Sequence, residues 1–133
     1  MIIAIDFDGT IVTHEYPRIG KLAPLAKEVI NELAAAGHKM FLWTMRDNEK
    51  LEEALAFLED EGIPIKTGNR SPAQFSASPK QYAHIYIDDT AVGVPLQRVG
   101  DTYTTNWPAL AYIFMQSGVI SKEAYERITK ASE

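Results

Sequence analysis

Cysteine is absent from the sequence, which excludes a disulfide framework and any chemistry that depends on a thiolate. The chain also has no apolar run of membrane-spanning length. Its N-terminus lacks the basic region and long apolar segment that mark a secretory signal. These absences fit a reducing compartment and predict a cytoplasmic protein that does not enter a membrane.

Positive charge is in the minority, with 13 Lys and Arg against 18 Asp and Glu and a net charge of -5. A nucleic-acid backbone is therefore not an obvious general partner, although a local basic patch stays open. The chain has 133 residues, of which 46% are hydrophobic, enough for one domain with a proper core. Repeats, linkers and low-complexity tracts are missing, so we expect a single domain over residues 1–133.

The N-terminal segment Ile2–Val12 begins as a near-continuous apolar run, which predicts a strand buried on both faces. Asp6 and Asp8 follow on either side of Phe7, and Gly9 then breaks the strand. In open α/β sheets, ligands bind outside the carboxyl ends of the strands. Two such close carboxylates repel each other unless they are paired or bind a cation, and oxygen ligands of this kind suit magnesium.

Two other interpretations of the acidic pair are weaker. A single Asp after a strand is often a turn or cap residue, but this leaves the second carboxylate unexplained. A calcium loop requires Glu at its twelfth position. That position is Pro17 when counted from Asp6 and Ile19 when counted from Asp8.

Strand-like and helix-like segments alternate along the rest of the chain, which predicts a parallel sheet with helices on both faces. The predicted strands after the first are Met40–Trp43, Ile63–Ile65, Ile85–Ile87 and a short one around Thr102–Thr104. The predicted helices are a segment from Leu22 to Leu33, one capped by Asp47 or Asn48 and ended by Gly62, Trp107–Gln116 after an Asn106 cap, and a last helix from the Ser121 cap to about Ala131.

Polar side chains follow three of these strands. Asp6 and Asp8 come after the first, Thr44 after the second, and Asp88 and Asp89 after the fourth. Because the carboxyl ends of parallel strands share one edge, we expect these groups to meet there. Carboxylates, a hydroxyl and a nearby ammonium can together bind a metal ion and a phosphate.

These residues resemble the motifs of the haloacid dehalogenase superfamily of phosphohydrolases, over roughly residues 1–110. The segment Asp6-Phe7-Asp8-Gly9-Thr10 is similar to its first motif, and Ile87-Asp88-Asp89 to its fourth. Thr44 matches the second motif, and Lys80 is the best match to the third. The resemblance implies a three-layer, Rossmann-like fold with a mainly parallel sheet in the order 3-2-1-4-5.

The resemblance also implies a role for each residue. Asp6 would be the nucleophile that forms an aspartyl-phosphate, and Asp8 the acid and base for the leaving group and the attacking water. Mg²⁺ would be held by Asp6, by the backbone carbonyl of Asp8 and by Asp88, with Asp89 as a direct or water-mediated ligand. Phosphate oxygens would be held by the Thr44 hydroxyl, the Met45 amide and Lys80.

Other charged residues have alternative interpretations. Arg46 is placed to bind a substrate anion, but an Arg at the start of a helix is as often a surface charge. Lys66 competes with Lys80 for the lysine role. His14 and Arg18 lie on a loop beside the acidic pair and are candidates for substrate contact.

No segment has room for the substrate-selecting cap domain that many relatives insert. Members without a cap have open sites, or close them with a neighbouring subunit, so a homo-oligomer is an option. We expect a small phosphorylated molecule as substrate. Two alternatives stay open: a receiver-like phospho-acceptor domain, and a metal-binding protein of this fold without catalysis.

Overall fold

The N-terminal apolar segment forms the central strand of the sheet in the computed structural model, which describes residues 1–133. Strand β1 (Ile2–Ile5) lies between β2 (Lys39–Leu42) and β3 (Ile85–Ile87), and both pairings are parallel. Ile3 and Ile5 are fully buried, as expected for a central strand that is covered on both faces. The predicted α/β class with a buried parallel sheet is therefore confirmed.

Four helices complete the fold: α1 (Ala26–Ala35), α2 (Asn48–Asp60), α3 (Trp107–Gln116) and α4 (Lys122–Ala131). Helices α1, α3 and α4 pack against one another. Helix α2 places Ala54 and Leu58 in the same core as β1. None of the four combines the length and apolar character needed to cross a bilayer.

Helix boundaries follow the capping residues in the second half of the chain. The Asn106 side chain accepts a hydrogen bond from the Ala109 amide, and the Ser121 side chain accepts one from Ala124, as the sequence predicts. The first helix is shorter than predicted. Leu22 is not helical, because it forms an antiparallel bridge with Val12.

The predicted third strand at residues 63–65 is wrong. Ile63 and Ile65 are buried, but Pro64 between them has no N–H for a strand ladder. The chain reaches the free edge of β2 only at Gly68, which forms a single parallel bridge with Leu42. The apolar residues Ile63 and Ile65 suggested a strand, but they belong to an irregular segment that packs on the core.

A strand does form near the predicted fifth position, but in a different pairing. Strand β5 (Thr102–Thr105) pairs antiparallel with β4 (Leu96–Val99), in a hairpin separate from the parallel sheet. Gly100, with φ of 61°, allows the tight reversal between them. The parallel sheet therefore has the order β2-β1-β3, and the expected order 3-2-1-4-5 is not confirmed.

Candidate active site

Three carboxylates meet where β1 and β3 end. Ile5 and Ile87 are register partners, and the Asp6 amide donates to the Ile87 carbonyl at 2.9 Å, so the chain leaves both strands side by side. One carboxylate oxygen from each of Asp6, Asp88 and Asp89 lies within 4.8 Å of the others. The predicted convergence of the first and fourth strand ends is therefore present.

The surroundings of Asp6 disfavour its ionised form. Burial is the main cause, followed by the charge of Asp88 and by a hydrogen bond and charge interaction with Asp89, and these raise its pKa to about 8. A hydrogen bond from the Phe7 backbone opposes the rise only in part. No cationic side chain forms an ion pair with any of the three carboxylates. A close, all-oxygen donor set without a neutralising side chain fits a hard divalent cation.

Thr10 joins the triad to the rest of the fold. Its hydroxyl donates to Asp6 at 3.2 Å and accepts from the Asp89 amide at 3.1 Å, and the Thr105 hydroxyl lies 3.1 Å away. Its carbonyl accepts a 2.8 Å hydrogen bond from the buried indole of Trp107. The sequence predicts no role for Thr10, because its neighbours in the chain do not reveal contacts with Thr105 and Trp107.

Gly9 is required by the approach of Asp89. Its φ is 85°, and a Cβ atom built on it would collide with the Asp89 carboxylate. Glycine therefore gives the loop both its left-handed turn and the space for the third carboxylate.

Asp8 does not belong to the triad. Its two carboxylate oxygens accept hydrogen bonds from Arg46, from Nε at 2.8 Å and from Nη2 at 2.9 Å. The Asp8 carboxylate thus faces Arg46 and not the other three carboxylates. The expectation that the Asp8 backbone carbonyl faces the metal stays a prediction. Strand β1 ends at Ile5, and the chain turns after Phe7, whose carbonyl accepts from the Thr10 and Ile11 amides, so Asp6 and Asp8 do not share a strand face.

Arg46 is buried, which corrects the interpretation of it as a surface charge. Its side chain has no exposed surface, so it is not a surface charge. It also donates to the Arg18 carbonyl at 2.9 Å, and its guanidinium lies 5.2 Å from the Phe7 ring centre and 5.0 Å from that of Tyr16. Its hydrogen bonds in this structure go to other groups of the chain, whereas the sequence suggested that Arg46 binds a substrate anion.

The turn after β2 is held by a residue that sequence reasoning missed. Asn69 accepts from the Thr44 amide at 2.9 Å and donates to the Arg46 carbonyl at 3.1 Å. The Thr44 hydroxyl accepts from the Arg46 amide at 3.1 Å, while the Met45 amide donates no hydrogen bond within the chain. Asn69 has φ of 59°, a conformation that Asn tolerates well, but its polar loop gave no sign of this contact.

Neither candidate lysine reaches the site. The Lys80 ammonium lies 5.6 Å from the Tyr86 ring centre and does not line the cavity beside Asp6. Lys66 lines a different hollow near the end of α2. The irregular segment before β3 carries Lys80 away, so its position in sequence before that strand does not bring it to the strand's carboxyl end.

A cavity of about 470 Å³ opens over the acidic triad and the turn after β2. Its lining consists of the triad, Asp8, Thr44, Met45 and Arg46, together with His14, Tyr16 and Thr90. Met45 is 99% exposed. A second hollow of about 360 Å³, lined in part by Trp43, shares Asp6, Thr44, Met45 and Asp88 with the first. Arg18 lines neither hollow. Its carbonyl accepts a hydrogen bond from Arg46, and its side chain pairs with Glu15.

The chain is similar to a protein of known structure. No protein-family model and no curated protein matches the chain. Among solved structures it is similar to a conserved protein coded by a locus from Bacteroides thetaiotaomicron. The two are 34% identical, with 89% of this chain and 91% of that chain covered and a TM-score of 0.73.

Proposed function

We propose that this chain, which belongs to the same family as the Bacteroides thetaiotaomicron conserved protein, is a magnesium-dependent phosphomonoesterase of the haloacid dehalogenase type. The observation that carries the proposal is the triad of Asp6, Asp88 and Asp89, which lies at strand ends, within one cavity, and without a cationic side chain to neutralise it. A site that gathers negative charge in this way needs a cation, and phosphoryl transfer needs one too.

Asp6, Asp88 and Asp89 would hold Mg²⁺, which suits oxygen ligands. When bound, the ion supplies the positive charge that lets a carboxylate approach a phosphate anion. Asp6 is the proposed nucleophile because it has the first motif's nucleophile position and lines both hollows of the site. Thr44 and Met45 line the same cavity, and the Met45 amide and the Thr44 hydroxyl are the proposed donors to the phosphoryl oxygens.

The proposed reaction has two steps. An Asp6 oxygen forms a bond to phosphorus as the ester bond breaks, and the leaving oxygen takes a proton from Asp8. Water then attacks phosphorus, the bond to Asp6 breaks, and Asp8 takes the proton of the water. Asp8 lines the same cavity, and its carboxylate is held in one orientation by Arg46.

The test is phosphate release from an aryl phosphate by protein stripped of metal and then supplied with Mg²⁺. Asp6→Asn should abolish turnover and weaken Mg²⁺ binding measured by calorimetry. Asp60→Asn, an exposed carboxylate at the end of α2, removes the same charge away from the site and should leave both unchanged. Equal activity of the wild type and Asp6→Asn would disprove the proposal.

The Asp8–Arg46 pair favours a second candidate, a phospho-acceptor that hydrolyses slowly. Both Asp8 oxygens already accept hydrogen bonds from a buried guanidinium, which hinders proton exchange with a substrate. A phosphoprotein that accumulates after incubation with a small phosphodonor and Mg²⁺, without release of phosphate, would favour this candidate over the esterase.

A further inference from the structure

The cavity above the acidic triad has almost no positive charge of its own. Arg46 is the only Lys or Arg in its lining. That guanidinium is committed to Asp8 and to the Arg18 carbonyl, and its side chain has no exposed surface. Lys80 lies over the Tyr86 ring outside the lining. A substrate therefore meets no free cationic side chain of Lys or Arg in this cavity.

The lining gains no net positive charge even with a metal ion in place. Four carboxylates line the cavity, from Asp6, Asp8, Asp88 and Asp89, and Arg46 neutralises one of them. A divalent cation neutralises two more. A phosphoryl group adds its own negative charge to this surface, so any further anionic group on the substrate is repelled, and a cationic one is attracted.

We propose that the site selects phosphomonoesters whose alcohol portion is uncharged or cationic, such as polyol or amino-alcohol phosphates. It discriminates against esters with a second anionic group, including phosphorylated acids, nucleoside polyphosphates and nucleic-acid ends. This inference rests on the proposed phosphomonoesterase activity and adds the substrate class. The geometry that carries it is the engagement of Arg46 and the displacement of Lys80 from the cavity.

Met45 provides a way to change this charge without removing a site carboxylate. Its side chain is 99% exposed and it lines both hollows of the site. Met45→Lys places an ammonium at the cavity wall and keeps the backbone amide. Ala131→Lys adds the same charge on the exposed end of α4 and serves as the matched control.

The experiment compares kcat/KM for three esters of similar size with saturating Mg²⁺: ethanolamine phosphate, glycerol 1-phosphate and 3-phosphoglycerate. At low ionic strength we expect the anionic ester to be hydrolysed about tenfold less efficiently than the other two, the scale of one unit charge several ångströms away in a partly aqueous site. The difference should shrink as salt rises from 50 to about 250 mM, because the charges are screened. Met45→Lys should raise the relative kcat/KM of the anionic ester about threefold or more, and Ala131→Lys should not.

The outcomes separate this inference from the function on which it rests. Equal or faster hydrolysis of 3-phosphoglycerate at low salt, with normal turnover of the other esters, overturns the charge selection alone. A preference that does not change with salt, or that Met45→Lys leaves unaltered, overturns it as well. Absence of Asp6-dependent turnover for all three esters and for an aryl phosphate overturns the proposed function, and the charge selection with it.

Discussion

Replacing Arg46 should lower the free energy of unfolding more than any single substitution on the surface of the protein. Arg46→Met keeps much of the apolar stem but removes the guanidinium that bonds both oxygens of Asp8. The Asp8 side chain is only 11% exposed, so water cannot replace these hydrogen bonds fully. Breaking a buried ion pair by removing one partner typically costs about 3–5 kcal/mol, because the other charge is left uncompensated.

Other contacts of Arg46 place the expected loss above the lower end of that range. The guanidinium also bonds the Arg18 carbonyl and lies against the rings of Phe7 and Tyr16, and a desolvated cation–π contact adds up to about 2 kcal/mol. We therefore expect a loss of about 4 kcal/mol in the free energy of unfolding. With a urea m-value of about 2 kcal/mol/M, this moves the unfolding midpoint down by about 2 M.

The assay is equilibrium urea unfolding at pH 7, with chelator present so that no metal contributes. A second variant, Asp8→Leu combined with Arg46→Met, removes both charges and should recover at least half of the loss, because no buried charge is then unpaired. A shift below about 0.5 M for Arg46→Met, or no recovery in the double variant, would refute the assignment of Arg46 as a structural partner of Asp8.

Three further outcomes follow from the same site. Because burial and the neighbouring carboxylates raise the folded pKa of Asp6 to about 8, above its ordinary 3.8, the metal-free folded state binds more protons than the unfolded chain between these values. The urea midpoint in chelator should then fall as pH rises from about 4 to about 8 and change little above it, while saturating Mg²⁺ weakens the trend; a midpoint that rises over this range would contradict the pKa. Gly9→Ala should displace the Asp89 carboxylate and lower Mg²⁺ affinity by tenfold or more in calorimetry, since metal sites are sensitive to ligand position; unchanged affinity would show that Asp89 is not a ligand. Asn69→Ala should lower kcat with a smaller change in stability, about 1–2 kcal/mol, because the Thr44 amide loses its partner; a normal kcat would exclude this turn from phosphate binding.

The class of the fold and the position of the acidic residues at strand ends were predictable from the sequence. An apolar run that ends in Asp6, and another that ends in Asp88 and Asp89, predicted parallel strands whose carboxyl ends meet, because a buried strand followed by charge leaves few other arrangements. Capping residues such as Asn106 and Ser121 set helix starts correctly, because an N-cap acts on amides only two or three residues away.

Which charged side chains contact one another was not predictable and depends on the folded chain. Arg46 and Lys80 are both cations near a strand in sequence, yet one is buried on Asp8 and the other lies over Tyr86. Ile63 and Ile65 have the composition of a strand but pack without a ladder, and Thr102–Thr105 pairs with a neighbouring hairpin strand rather than with the sheet. The pairing of Arg46 with Asp8 and the contact of Thr10 with Trp107 join residues far apart in the chain, and no local pattern specifies such pairs. The β4–β5 hairpin is a local contact, but its residues alone do not show that it stays separate from the parallel sheet.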